Sequence, residues 1–353
     1  MTAKLRRLYK NIYSSLPKSF QGEISKVVFK YSDKPSVKAK GNNYFPDGAK
    51  GGFVISADFE LAWAWRYSKT SRQPFKLALE KAKQERENVP VFLKMFEEYN
   101  IPITWATVGH LFLESCKKGD HDWIKRIPHF NNHWLFEKGD WYDYDPCSDY
   151  KNAPEWYAPD LIEMILKSNV NHEIGSHSFS HLHFRDQVCP PDAADDDIKA
   201  CIDIASKWGV ELKSMVFPGG TNGNYQTLVK YGFTNYRLNS EYDLFYPEKD
   251  KLNLVRLPSS FSFEDMGFNW SKEYYIYRYK KYLDKAIETG TVCHGWFHPS
   301  EAPWIVNDVF PEVLKYAAQL REKGLLYIAT MNDMSSLTSH KEQNVDRLNE
   351  QSQ

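Results

Sequence analysis

The sequence predicts an α/β domain built on a parallel sheet or barrel, on three observations. From about Gly51 onward, short apolar runs alternate with amphipathic ones about seven times, the pattern of repeated strand–helix units. No GxGxxG turn follows the first apolar run, which sets a dinucleotide-binding sheet aside in favour of a barrel. Ionisable residues gather where the strand runs stop, and barrels carry their reactive groups at the carboxyl ends of strands.

Taken in order, residues 1–47 read as one or two short helices and then a linker or surface arm, because "KPSVKAKGNNYFPDGAKGG" is polar and rich in Gly, Lys and Asn. On the first helix Leu5, Leu8 and Ile12 share a side, with Lys4, Arg7 and Lys10 around them. That pattern suits a solvated helix and also peripheral contact with a membrane surface. Strand-like runs follow at 52–57, 101–108, 172–176, 213–218, 233–238, 253–258, 291–297 and 325–330, and helical ones at 88–100, 160–169, 195–209, 225–232, 272–290 and 311–324. The domain is drawn at 48–340, and the polar tail 341–353 reads as disordered.

Composition narrows the partners. With 45 basic and 46 acidic residues there is no general polyanion-binding surface, so nucleic acid is not an expected partner. An aromatic fraction of 15% suits a cleft that stacks flat ligands and equally a large core. Cys116, Cys147, Cys189, Cys201 and Cys293 are odd in number and lack CxxC spacing. Neither a disulfide framework nor a thiolate zinc site is expected, and a reducing, cytoplasmic location fits. The N-terminus lacks the apolar core of a signal peptide, and no run approaches the ~18 apolar residues that span a bilayer.

Chemistry gathers at the ends of three strand runs. "SADFELAW" gives Asp58 and Glu60, two residues apart and therefore on one face of an extended chain. "HEIGSHSFSHLH" packs four histidines into twelve residues, with His177 and His181 four apart. Alone that pair reads either as two metal ligands or as polar loop histidines. "TVCHGWFHP" adds His294 and His298. A carboxylate and two imidazoles would hold one divalent metal with open positions, which points to metal-assisted hydrolysis. The second carboxylate then serves as general base, and a histidine on the far side protonates a departing amine. His298 is preferred for that acid because it lies where the chain leaves the strand beside Pro299, with His294 a core or supporting residue.

"SADFE", "HSFSH", "VFPGG" and "WFHP", in this order, resemble the polysaccharide deacetylase (NodB-homology, carbohydrate esterase family 4) domain over roughly residues 50–335. The resemblance implies a distorted (β/α)7 barrel, here with an N-terminal helical extension, that removes N-acetyl groups from sugars with one divalent metal. It makes His177 and His181 ligands. Family members carry two adjacent aspartates where this chain has Asp58-Phe59-Glu60, which is more similar to the DxD/DxE subgroup and implies Asp58 as base and Glu60 as ligand. The family's third motif supplies an arginine that steadies the base and a Pro–aromatic pair at the pocket. "MVFPGGTNGN" offers Pro218 without the arginine, and Arg256 or Arg237 either replaces it or is an ordinary surface ion-pairing residue. Gly219 or Gly220 either donates a backbone N–H to an oxyanion or only makes a turn.

The resemblance also favours a carbohydrate substrate. Trp63 and Trp65 either stack on a sugar face or pack against the barrel rim, and the aromatic segment 119–158 is long enough to form a lid or substrate wall. Zinc is the default ion, although the same donors accept cobalt, nickel, manganese or iron. The expected activity is N-deacetylation of an acetamido sugar in glycan precursor synthesis. A cyclic-amide hydrolase and a catalytically silent carbohydrate-binding protein are the alternatives.

Overall fold

All nine residues of Gly51–Phe59 are buried, as a strand covered on both faces requires, and the sheet grows outward from it. The structure is a computed structural model that describes residues 17, 34–38, 43–69, 71–128, 139–267 and 270–338. The helix expected around Leu5, Leu8 and Ile12 and the tail 341–353 fall outside the described residues. In chain order the strands are β1 (Val37–Lys38), β2 (Gly51–Phe59), β3 (Thr104–Thr107), β4 (Glu173–Ser176), β5 (Ser214–Val216) and β6 (Asn235–Leu238). They continue with β7 (Leu244–Phe245), β8 (Glu248–Lys249), β9 (Val255–Pro258), β10 (Phe261–Ser262), β11 (Val292–Phe297) and β12 (Leu326–Ile328). The helices are α1 (Pro74–Tyr99), α2 (Pro159–Leu166), α3 (Pro191–Ser206), α4 (Tyr225–Lys230), α5 (Lys272–Thr289) and α6 (Phe310–Glu322).

The parallel strands stand in the order β11-β2-β3-β4-β5-β6-β9. From β9 the chain runs through Ser259 and Ser260 into β10, which pairs with β11 through Phe261–Gly295 and Ser262–Trp296. One stretch of chain thus joins the two flanks of the sheet, and the distorted (β/α)7 barrel expected from the sequence results. Gly295 is needed at this seam, since a Cβ there would meet the Phe263 ring at 2.6 Å and the Phe261 ring at 2.9 Å.

Two elements depart from the sequence reading. The helix expected to begin at residue 88 begins at Pro74 and carries Pro90 inside it. Its first half hides its inward stripe behind small residues and an acid, Ala78, Ala82, Glu85 and Val89, so apolar periodicity is weak there. The segment before residue 48 is more than a linker. Val37 pairs with Leu244, Ser36 N–H donates to Asp243 Oδ2 at 2.7 Å, and Phe45, 4% exposed, meets Tyr246 edge-on at 5.5 Å.

The core between α1, α6 and the sheet centres on Phe92, whose ring lies 4.6 Å from Phe297 and 4.9 Å from Phe310. Phe92→Ala should leave a cavity there and cost about 3–5 kcal/mol of stability, measured by denaturant unfolding. A change below about 1 kcal/mol would show that the barrel does not rely on this contact.

Candidate active site

Glu60 is the first residue past β2 and 1% exposed, so its charge must be met by protein groups. Its Oε2 lies 3.0 Å from His177 Nε2 and 3.3 Å from His181 Nε2, and its Oε1 3.3 Å from His298 Nε2. His177 donates from Nδ1 to Val216 O at 2.8 Å, so a neutral His177 turns the lone pair of Nε2 toward the carboxylate. Burial pushes His181 down to about 4, against the pull of Glu60, so that ring is neutral near pH 7. The lone-pair atoms of Glu60, His177 and His181 lie within 4.8 Å of one another. One carboxylate oxygen and two imidazole nitrogens converge here, and this donor set fits the one-carboxylate, two-imidazole arrangement of a divalent metal.

The backbone around these three side chains is held in unusual conformations. Leu61 has φ 46°, Ser178 φ 64° and His181 φ 62°, a region that costs non-glycine residues energy and marks functional sites when observed. Each bend is met by a buried acid from a helix. Glu85 on α1 accepts from Glu60 N–H at 2.9 Å, and burial together with the Glu60 carboxylate pushes it up to about 8. Asp197 on α3 accepts from Phe179 N–H at 2.9 Å, and burial pushes it up to about 7. Trp141 Nε1 donates to His181 O at 2.6 Å, fixing the second ligand from the far side.

Asp58, two residues before Glu60, is clamped by Arg237, with Nη1 to Oδ1 and Nη2 to Oδ2 both at 2.6 Å. Burial would raise its carboxyl, but Arg237 first and His177 second hold it below the usual range. Arg237 also donates to Ser56 Oγ at 2.9 Å and lies 4.8 Å over the Trp296 ring. Ser56 Oγ reaches His294 Nε2 at 2.8 Å. His294 is fully buried and does not line the cavity, as its reading as a supporting residue expects. His298 does line it: Nδ1 pairs with Glu264 Oε1 at 2.9 Å, and although burial opposes protonation, Glu60 and Glu264 raise it to about 10.

Asp58, Glu60, His177, His181, His298 and Arg237 all face one cavity of about 380 Å³, which Trp65, Gly219, Gly220, Glu264 and Trp296 help to line. That volume is within the range of small-ligand pockets. Three expectations are corrected. Trp63 is fully buried among His110, Tyr142 and Trp156, because the turn after Glu60 sends it into the core while Trp65 faces the cavity. Arg256 pairs with Glu248 at 2.9 Å, outside the cavity, because on β9 it points the other way. Pro218 is buried and stiffens the turn without lining the cavity. Among its described residues the 119–158 segment contributes none to the cavity lining; it packs behind the site through Trp141 and Trp156. Glu85, Asp197, Glu264 and Trp296 were not read as site residues from the sequence.

A parallel barrel thus brings a buried carboxylate–imidazole cluster, a clamped second carboxylate and a third imidazole to one cavity, a set of groups with the chemistry for hydrolysis. Residues 69–236 match the polysaccharide deacetylase family model. Over these residues the chain carries a polysaccharide deacetylase domain, the domain of enzymes of that type. Among solved structures it is similar to a protein of Mycobacterium smegmatis assigned to the polysaccharide deacetylases (15% identity, TM-score 0.59, 86% of this chain and 96% of that one). It is also similar to one of Pseudomonas aeruginosa PAO1 with the same assignment (15%, 0.57, 88% and 96%), and to the PuuE allantoinase (14%, 0.58, 84% and 93%). At these identities the likeness is one of fold. No curated protein sequence matches the chain.

The Arg237 clamp generates a prediction. A carboxylate with a depressed pKa stays ionised until the pH falls through that value, so Arg237→Gln, which raises it, should move the acid limb of the kcat/KM profile to higher pH. An acid limb that stays in place would separate Arg237 from the base.

Proposed function

We propose that the protein hydrolyses the acetamido group of a sugar, with Asp58 as general base and His298 as general acid. The observation that carries this reading is the pairing of the two groups in one cavity with opposite partners: Asp58 with the Arg237 guanidinium and His298 Nδ1 with the Glu264 carboxylate. A base and an acid with pKa values pushed apart mark an acid–base pair.

Glu60, His177 and His181 are the residues that would hold one divalent ion, zinc by default, which when bound supplies a Lewis acid to the amide carbonyl and favours ionisation of water. Asp58 takes the proton of the attacking water as the new carbon–oxygen bond forms. The carbonyl's developing negative charge falls near the 219–220 turn. Gly220 N–H already donates to Phe217 O at 3.1 Å, so Gly219, at φ 58°, is the backbone donor left for it. His298 passes its Nε2 proton to the departing nitrogen, the carbon–nitrogen bond breaks, and acetate and the free amine leave. Trp65 and Trp296 flank His298 with ring centroids 5.4 Å and 5.3 Å away, which suits stacking on a sugar face beside the acid.

The Arg237–Asp58 pair supports an active enzyme over a silent carbohydrate-binding protein, since it keeps the base ionised. Cyclic amides are the nearest competing substrates, and the same fold occurs in an allantoinase. The free thiols of all five cysteines agree with a cytoplasmic location, and no helix among the described residues is long and apolar enough to cross a membrane.

The reading is tested by acetate release from acetamido sugars and nucleotide-linked sugars, with a hydantoin as the cyclic-amide comparison. Asp58→Asn should keep the metal and lose about 10² to 10⁴-fold in turnover, the usual worth of a general base, whereas His177→Ala should lose the ion. Turnover of the hydantoin alone would replace the sugar reading with the cyclic-amide one. His298→Ala should depress amide hydrolysis far more than hydrolysis of p-nitrophenyl acetate, whose leaving group needs no proton. Glu264→Gln removes a carboxylate that raises the His298 pKa, so the alkaline limb should move to lower pH; an equal loss on amide and ester would overturn the acid assignment.

A further inference from the structure

Behind the active site lies a second group of metal-ligating side chains that the proposed reaction does not use. His110 comes from the turn at Gly109–Phe112, while Cys116, His121 and Asp145 come from the long segment that follows. The four donor atoms lie within 4.8 Å of one another, and none of these residues lines the catalytic cavity. Cys116 Sγ is 3.7 Å from His110 Nε2 and 3.5 Å from Asp145 Oδ1. Asp145 Oδ2 is 3.4 Å from His110 Nε2 and 3.7 Å from His121 Nε2. Bonds of about 2.0 Å to nitrogen or oxygen and about 2.3 Å to sulfur, at tetrahedral angles, place donors about 3.3–3.5 Å apart. With Cys116 Sγ 3.6 Å from Asp145 Oδ2, the four named separations among His110 Nε2, Cys116 Sγ, His121 Nε2 and Asp145 Oδ2 are that size or slightly longer.

The hydrogen bonds around the cluster leave the right atoms free. His110 donates from Nδ1 to Trp156 O at 3.2 Å, which turns the lone pair of Nε2 inward. His121 Nε2 is buried with no hydrogen-bond partner, although it faces a carboxylate oxygen. Tyr157 OH accepts from Ser148 N–H at 3.0 Å and meets Cys116 Sγ at 3.1 Å, so its own proton points at the sulfur or at Asp145, as a hydroxyl supporting a thiolate would. Asp145 Oδ1 accepts from Cys147 N–H at 3.0 Å, leaving Oδ2 for the cluster. Two imidazoles, a thiol and a carboxylate, closed off from solvent, make a four-donor set with no position for substrate, which is the character of a structural zinc site.

We propose that His110, Cys116, His121 and Asp145 bind a zinc ion that staples the 113–158 segment to the barrel. Cys116 gives up its thiol proton when the ion binds. A mixed set with one cysteine lacks CxxC spacing and so leaves no motif to read in the sequence. Tightening this segment fixes Trp141, whose indole holds the His181 carbonyl, so the staple acts on the catalytic ligand from behind.

The test uses the full chain with cobalt in place of zinc. Among the clusters of the described residues this one alone offers sulfur, so a thiolate-to-cobalt charge-transfer band in the near ultraviolet reports on it, whatever the activity. The band should persist in His177→Ala and vanish in Cys116→Ser. Zinc analysis should give two ions per wild-type chain and one in His177→Ala, and a chelator should lower the Tm of His177→Ala. Wild-type protein that takes up at most one ion, shows no thiolate band and loses that ion in His177→Ala overturns the proposal, even if Cys116→Ser fails to fold.

Discussion

Two carboxylates at the end of one strand are buried nearly out of reach of water, and most of the surrounding structure answers to them. Asp58 and Glu60 are 4% and 1% exposed, and an unmatched buried charge would cost several kcal/mol. The protein matches them differently. Asp58 receives a fixed guanidinium, while Glu60 receives two imidazoles, His177 and His181, from the loop after β4 and a third, His298, across the cavity. Strands β2, β4, β6 and β11 must therefore be adjacent to one opening, and the parallel order puts their carboxyl ends there. A network of this kind is weak evidence for stability, but it keeps the reactive groups in one protonation pattern.

The strands were legible because each is a short apolar run with a chemical residue at its end. So were Asp58, Glu60, His177, His181 and His298, since residue type and strand-end position both point to them. Position alone did not separate Trp63 from Trp65: a period-two rule assumes an extended chain, whereas Leu61–Trp63 forms a turn that rotates one ring into the core. Arg237 and Arg256 each sit on a short strand, and only the register of β6 and β9 decides which faces the base.

The acids that support the site were invisible for a different reason. Glu85 and Asp197 look like surface residues of charged helices, yet each interrupts an inward stripe, Ala78, Ala82, Glu85, Val89 on α1 and Ala193, Ala194, Asp197, Ile198 on α3. An acid at the register of buried alanines is a readable signal that apolar counting discards. Glu264 carries no such signal, because it follows β10 in a stretch without periodicity and gains its role only when β10 meets β11.

The geometry of the Arg237 clamp bears on the direction in which Asp58 can act. Two parallel bonds, one to each oxygen, engage the lone pairs that lie between the carboxylate oxygens and the fork. The lone pairs left over point outward along the flanks of the group. A water molecule in line with the carboxyl axis therefore meets guanidinium, and only one arriving from the side finds an acceptor. On the proposed reading, the arginine sets a bearing for the proton as well as a charge for Asp58, so that waters are told apart by angle.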